Sequence, residues 1–332
     1  MTRASGAPTA GRRAGLPDAA TPAWLRADMD RIEALLLDRA GSSAHPLVSE
    51  ASTHLIKAGG KRLRPALVLM TARAGDARGD VADLSAAAIE LVHLATLYHD
   101  DVIDETDTRR GVPTVHAKWG TEVAVLAGDY LFARGCALGA EAGGEVPGIL
   151  ARAIGEVCEG QILETASLGD AHRSIDDYLG IIRRKTAALF RAACELGAAA
   201  SGVSGEDRAA LVSYGEHLGL AFQMVDDLLD LVGDPDVTGK VPGTDLREGV
   251  FTLPVLIACE RDASFAQRLA AGHLELEPAL AALRTTGALD AALDLATSHA
   301  SAAHTALETL PRAEWRDALD GMVDGVLLQV TG

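Results

Sequence analysis

The spacing of apolar residues predicts a chain built from helices. Residues 22–40 place Trp24, Leu25, Met29, Ile32, Leu35 and Leu36 on one helical stripe. Pro46 opens a short second helix running to Lys57, at a first-turn position that proline tolerates. Gly59-Gly60-Lys61-Arg62-Leu63-Arg64-Pro65 then reads as a loop-to-helix junction. The longest early pattern starts near Asp80, expected as an N-cap with Asp83 three residues on. Leu84, Ala87, Ala88, Leu91, Ala95 and Tyr98 form its apolar face, and it ends in His99-Asp100-Asp101-Val102-Ile103-Asp104. Residues 106–113 read as a loop. Further helices are predicted over 120–142, 148–167, 175–200 and 204–231. The last has a capping-box-like start from Ser204 to Asp207 and closes on Val225-Asp226-Asp227-Leu228-Leu229-Asp230. Its internal Gly215 and Gly219 each cost ~1 kcal/mol relative to alanine, which predicts close approach of another helix. Residues 233–249 read as a loop, longer than the ~12–15 residues usual without structure, and so as a functional lid. From Thr252 onward the pattern predicts four or five amphipathic helices.

Period-2 alternation is scarce, aromatic residues are only 4% of the chain, and proline is missing from 66–112 and 148–234. These features predict an all-α fold. No composition shift divides the chain. A flexible N-terminal tail over 1–20 and a single helical domain over 21–332 are therefore expected. The first 20 residues have no apolar run, so no signal peptide is expected, and no uninterrupted run of ~18 apolar residues predicts a membrane span. Cys136, Cys158, Cys194 and Cys259 form no C-x-x-C pair and read as small core residues of a reducing, cytoplasmic compartment.

The net charge of −17, from 30 basic and 47 acidic side chains, argues against a nucleic-acid partner. It does not argue against an anionic substrate, because bound metal can invert the local field. The acidic residues are patterned. Two Asp-Asp-x-x-Asp clusters, Asp100/Asp101/Asp104 and Asp226/Asp227/Asp230, close two long helices. Positions i and i+4 share a helix face and i+3 is its neighbour, so each cluster projects together. Crowded carboxylates at helix C-termini raise one another's pKa and oppose the helix dipole. One such cluster can be a solvated helix end. Two with the same spacing suggest opposite walls of a site for hard divalent cations such as Mg2+, with substrate phosphate completing the coordination. The basic residues of 61–64 can be a solvated turn or an anion cradle. Arg and Lys side chains spaced along the chain would hold the remaining phosphate charge, Arg by bidentate contact.

In this order the motifs resemble those of the trans-isoprenyl diphosphate synthases, the polyprenyl synthetase family. Residues 59–65 match its first signature, and HDDVIDETDTRRG over 99–111 matches the first aspartate-rich motif with its arginine pair. Lys185-Thr186, Phe222-Gln223, Asp226–Asp230, Gly239-Lys240 and Asp245-Leu246-Arg247-Glu248-Gly249 match the rest. The likeness covers roughly residues 50–260. It implies a single large antiparallel helical bundle around a deep central cavity. It also implies head-to-tail condensation of isopentenyl diphosphate with an allylic diphosphate by ionisation, attack of the double bond and proton loss to the released diphosphate. Asp100, Asp101, Asp104, Asp226, Asp227 and Asp230 resemble ligands of three Mg2+ ions. Arg109, Lys185, Gln223 and Lys240 resemble the other contacts of the allylic diphosphate, although Val241 separates Lys240 from Pro242. Lys61, Arg64, His93 and Arg110 resemble the isopentenyl diphosphate site. Thr186 and Gln223 are placed to stabilise a carbocation by their dipoles, and core hydrogen bonding is an equal reading of Thr186. The family further implies a homodimer and is compatible with peripheral membrane contact during product release.

Product length is read from Ala95 and Thr96, about one turn (~5.4 Å) before Asp100. In the family a bulky aromatic here stops elongation early. Both residues are small, so a product of about C30 to C50 is expected rather than a farnesyl or geranylgeranyl diphosphate. Tyr98 reads as packing, off the Asp100 face, while Phe132 is a candidate for a deeper stop. A class I terpene cyclase would have no use for the Gly-Gly-Lys-x-x-Arg cradle. A non-catalytic synthase subunit would have lost aspartates or arginines. A di-iron bundle would need Glu-x-x-His pairs on two helices, which the chain does not have.

Overall fold

The computed structural model describes residues 22–76, 80–233, 242–272 and 275–331. Helix α1 (Ala23–Ala40) buries Leu25, Ile32 and Leu36, three members of the apolar stripe. Helix α2 (Pro46–Lys57) begins at the proline, and α3 (Leu63–Thr71) follows the diglycine junction. Helix α4 (Val81–Ile103) is the central rod, buried on most of its circumference. A two-residue hairpin follows, β1 (Thr108–Arg109) paired antiparallel with β2 (Val112–Pro113). Its turn residues Arg110 and Gly111 both have positive φ, as mirror-image hairpin turns require, so the expected loop is a structured arm.

Helices α5 (Val115–Trp119), α6 (Thr121–Ala142) and α7 (Val146–Ala166) come next. The stretch read as one helix over 175–200 is α8 (Ile175–Ile182), a π-helical turn (Arg183–Ala187) and α9 (Ala188–Ser201). Helix α10 (Gly205–Val232) carries the second acidic cluster. A short helix, α11 (Thr244–Glu248), lies within the segment expected to be unstructured. Helices α12 (Leu253–Arg261), α13 (Ala263–Ala270), α14 (Leu276–Thr285), α15 (Ala288–Glu308) and α16 (Glu314–Thr331) close the bundle.

Helices α4 and α10 both pack on α9, and α6 covers α4. Glycine makes these approaches: a Cβ on Gly135 would lie 3.0 Å from the Ala88 carbonyl oxygen of α4. On α10, one on Gly215 would lie 2.8 Å from the Phe190 carbonyl oxygen, and one on Gly219 2.6 Å from the Cα of Ala187. The close contact expected at both α10 glycines is present. Helices α4 and α6 are each long and apolar enough to cross a membrane, contrary to expectation from uninterrupted runs, yet they lie against each other in the bundle.

Three local expectations differ. Asp80 precedes α4 without a side-chain cap, because its backbone is already αR, φ −83° and ψ 0°, rather than extended as a cap requires, while Asp83 binds Arg31 of α1 through both carboxylate oxygens at 3.0 Å. Ser204 makes no side-chain cap on α10. Of the four cysteines only Cys194 is buried, while Cys136 and Cys158 are exposed on α6 and α7.

Candidate active site

The site lies where α4, α7, α8, the π-helical turn and α10 converge under α11. Asp104, Glu164, Lys185, Gln223, Asp226, Asp227, Asp245 and Glu248 line a cavity of about 130 Å³, together with Arg173 and Tyr178. Thus α4 and α10, which both pack on α9, present their acidic ends to a shared space.

In the first cluster the helix separates the roles by angle. Asp104 lines the cavity, and Asp100 one turn earlier senses Lys185 and Asp104. Desolvation is the main cause that pushes the Asp100 pKa up to about 6, with Asp104 adding to it and Lys185 opposing it. Desolvation also raises Asp104. Asp101 is turned aside and buried, with Oδ1 accepting from Arg109 Nε at 2.5 Å. Its Oδ2 has no hydrogen-bond partner among the described residues.

In the second cluster Asp227 is buried and engaged through both oxygens. The Tyr178 hydroxyl donates to Oδ2 at 2.5 Å, and Gln223 Nε2 donates to Oδ1 at 2.8 Å. Desolvation pushes its pKa up to about 7 despite these two donors, and Asp226 adds to the rise. The Gln223 amide oxygen accepts from Thr186 Oγ1 at 2.7 Å, which completes a chain Thr186–Gln223–Asp227–Tyr178. Asp230 is turned away, its oxygens 3.2 and 3.3 Å from the backbone nitrogens of Thr244 and Asp245. Those nitrogens open α11, so this carboxylate accepts from N–H groups at a helix start.

The π-helical turn carries Lys185 and Thr186, and such turns are frequent at functional sites because they re-aim side chains. Gly160 of α7 allows it to approach: a Cβ there would lie 2.5 Å from the Lys185 nitrogen. Lys185 is paired with Glu164 of α7. Desolvation disfavours its charge, but Glu164 and Asp100 outweigh it and the ammonium pKa is raised.

Lys61, Arg64 and Arg110 gather separately around the start of α3. Lys61 Nζ donates to Gln329 Oε1 at 3.0 Å, and Arg64 stacks 4.9 Å from the Phe190 ring centroid. Arg110 Nη1 donates to the Leu55 carbonyl at 3.2 Å and to Gly59. A Cβ on Gly60 would lie 2.7 Å from the Arg110 guanidinium carbon, so only glycine permits this guanidinium to lie on the loop. His93 belongs here too. Desolvation first, then Arg64 and Arg110, hold its pKa well below the usual imidazole value, and the ring is neutral.

Ala95 is fully buried on α4, and Thr96 donates to the His93 carbonyl at 2.7 Å. Tyr98 is a packing residue, its hydroxyl 2.7 Å from the Ala51 carbonyl. Phe132 lies against His99, with ring centroids 5.5 Å apart. Lys240 lies outside the described residues.

Glu164, Arg173, Tyr178, Asp245 and Glu248 line the cavity without having been expected there. Lys185 lies in the π-helical turn, which breaks the helix period that starts at Tyr178, so spacing along the chain does not bring Tyr178 or Glu164 to the site. Asp245 and Glu248 lay within a quoted motif but in a segment expected to lack structure.

A profile of the polyprenyl synthetase family matches residues 45–278. The chain is 39% identical over 317 residues to a nonaprenyl diphosphate synthase of Mycobacterium tuberculosis, covering 93% of this chain and 94% of that protein. The crystal structure of a decaprenyl diphosphate synthase from Rhodobacter capsulatus superposes with a TM-score of 0.87 at 40% identity, over 92% of this chain and 97% of that one. That of a polyprenyl synthase from Caulobacter crescentus, complexed with calcium and isoprenyl diphosphate, gives 0.86 at 41% identity, over 92% and 95%.

Proposed function

This chain belongs to the polyprenyl synthetase family, and we propose that it condenses isopentenyl diphosphate with an allylic diphosphate to give a polyprenyl diphosphate of about C30 to C50. The observation that carries this reading is the meeting of two acidic helix ends at a small polar cavity, with a separate cation cluster around the start of α3. The relatives named for nonaprenyl and decaprenyl products support the long chain, as do small residues at Ala95 and Thr96.

The donor set fits hard cations. The carboxylates supply only oxygen, burial and crowding hold Asp100 and Asp227 at raised pKa values, and one oxygen of buried Asp101 has no hydrogen-bond partner among the described residues. Asp100 and Asp104 with Asp226 and Asp227 would hold Mg2+, three ions in all, and calcium beside isoprenyl diphosphate in the Caulobacter protein supports a divalent cation. When bound, the ions would neutralise the negative charge that develops on the leaving diphosphate. Asp101 would hold Arg109 through Oδ1 and keep Oδ2 for a cation, and Asp230 would hold α11 over the cavity. Lys185, Arg109 and Gln223 would bind the allylic diphosphate, and the Thr186–Gln223 pair would present its dipoles to the allylic cation. The short helix α11, which carries Asp245 and Glu248, would cover the cavity. Lys61, Arg64, Arg110 and neutral His93 would bind the isopentenyl diphosphate without ionising it.

In the reaction the allylic C–O bond breaks and the isopentenyl double bond attacks the cation to form a C–C bond. A proton then passes to the released diphosphate. A homodimer is supported by the exposed apolar side chains of α6 and α7, where Leu126 is 66% and Ile162 67% exposed. Incubation with labelled isopentenyl diphosphate, an allylic primer and Mg2+, followed by sizing of the products, tests the reading. Chains of about C30 to C50 are expected. Products stopping at farnesyl or geranylgeranyl length would overturn the long-chain reading, and no incorporation would overturn the activity.

A further inference from the structure

Between Lys61 and Arg64 stands Arg62, which the roles above leave unused. It adopts a left-handed backbone, φ 50° and ψ 37°, at the residue that precedes α3. A non-glycine residue rarely holds this conformation unless its surroundings impose it. Its side chain points inward and is only 5% exposed. There Nη1 donates to Glu90 Oε1 at 3.0 Å, Nη2 to Glu33 Oε1 at 3.1 Å, and Nη2 also to the Ile56 carbonyl at 3.0 Å. Glu90 is an α4 residue with a side chain 2% exposed, one turn before His93.

Glu90 does more than pair with Arg62. Its second oxygen, Oε2, accepts no hydrogen bond among the described residues, and neither does Nε of Arg64 donate one. The Glu90 charge is felt by Arg64 and by Arg110. Arg62 is the guanidinium in contact with this buried carboxylate. A lone buried charge of either sign is costly, so each holds the other in place.

We propose that Glu90 is the positioning residue of the isopentenyl diphosphate half-site. By gripping Arg62 it imposes the left-handed turn that sends Lys61 and Arg64 to one side of the junction. Glu90 itself touches neither reacting carbon nor metal. This rests on the assignment of the cation cluster given above.

The test measures steady-state KM for each substrate and calorimetric binding of isopentenyl diphosphate without divalent cation. Glu90→Gln keeps the shape and removes the charge. It should raise the isopentenyl diphosphate KM about ten-fold, as expected for losing one charge-assisted contact, and leave the allylic KM within about two-fold. A protein that is merely loosened would lose both substrates or lose kcat. Should Glu90→Gln fail to fold, Arg62→Lys decides the matter, since lysine keeps the charge but cannot fork between Glu33 and Glu90. It should give the same split. Folded variants with an unchanged or lowered isopentenyl diphosphate KM would overturn the proposal. Arg64→Ala guards the underlying assignment: if it too leaves that KM unchanged, the half-site itself is misplaced.

Discussion

The Tyr178 hydroxyl of α8 lies 2.5 Å from Asp227 Oδ2 of α10, and Gln223 occupies the opposite oxygen at 2.8 Å. Asp226, its neighbour in the chain, lines the same cavity. Adjacent aspartates on one helix are thus held differently, and they should respond differently to substitution. We predict that Asp226→Ala lowers kcat by about a hundred-fold or more, the scale of losing a main electrostatic contact to the transition state. Tyr178→Phe should cost only about ten-fold, because it removes a donor that orients Asp227. Mg2+ titration of initial rates checks both, and equal losses would contradict the division of roles.

The arginine pair should separate the substrates. Arg110 lies across the Gly59-Gly60 backbone, whereas Arg109 is tied to Asp101 on the metal side. Arg110→Ala should raise the isopentenyl diphosphate KM by about ten-fold or more, and Arg109→Ala should act mainly on the allylic substrate. Two-substrate kinetics distinguishes the outcomes; the reverse pattern would exchange the two half-sites.

The acidic clusters make a signed prediction for pH. Asp100 rises from 3.8 to about 6 and Asp227 from 3.8 to about 7, so the folded protein holds protons that the unfolded chain has released. Their contribution to stability is therefore most favourable at low pH and is lost as pH rises from about 4 to 7. Mg2+ binding requires the deprotonated carboxylates and reverses that loss. Calorimetric melting should show a larger Mg2+-dependent increase in Tm at pH 8 than at pH 5. An equal increase at both would remove these carboxylates from the metal site.

Product length can be shifted at Thr96. This side chain is only half-buried, so Thr96→Phe should shorten the product with little loss of Tm. Ala95 is fully buried, and Ala95→Phe should also lower stability by about 1–3 kcal/mol through overpacking. Sizing of the products beside thermal melts checks both; an unchanged product length with Thr96→Phe would place the stop elsewhere.

Gly160→Ala tests the π-helical turn. A Cβ there would meet the Lys185 backbone at 2.5 Å, so the turn must shift. A fall in activity of at least about ten-fold is expected, with the fold retained by circular dichroism. Wild-type activity would show that this close approach is dispensable.

Much of this protein was legible in its sequence because the signals are local. Helix period places Asp100 and Asp104 on one face, Pro46 marks the start of α2, and Gly215 and Gly219 announce a close neighbour. Each depends on backbone geometry within a few turns. The motifs in order carry the family, and with it the chemistry that the carboxylates and cations support.

Tertiary structure decided what depends on residues distant along the chain. Asp101 and Asp230 share the motif spacing of their neighbours, but the helix turns one towards Arg109 and the other towards α11. Tyr178 and Glu164 join the site only because α8 and α7 converge on the π-helical turn. Asp80 and Ser204 look like caps, yet neither makes a side-chain cap bond. Glu90 is a polar residue in an apolar helix, and its partner Arg62, 28 residues away, meets it only in the folded chain. Periodicity assigns a side chain to a face. Only packing decides which partner that face meets, and in a low-dielectric interior the partner decides whether a charge binds, positions or destabilises.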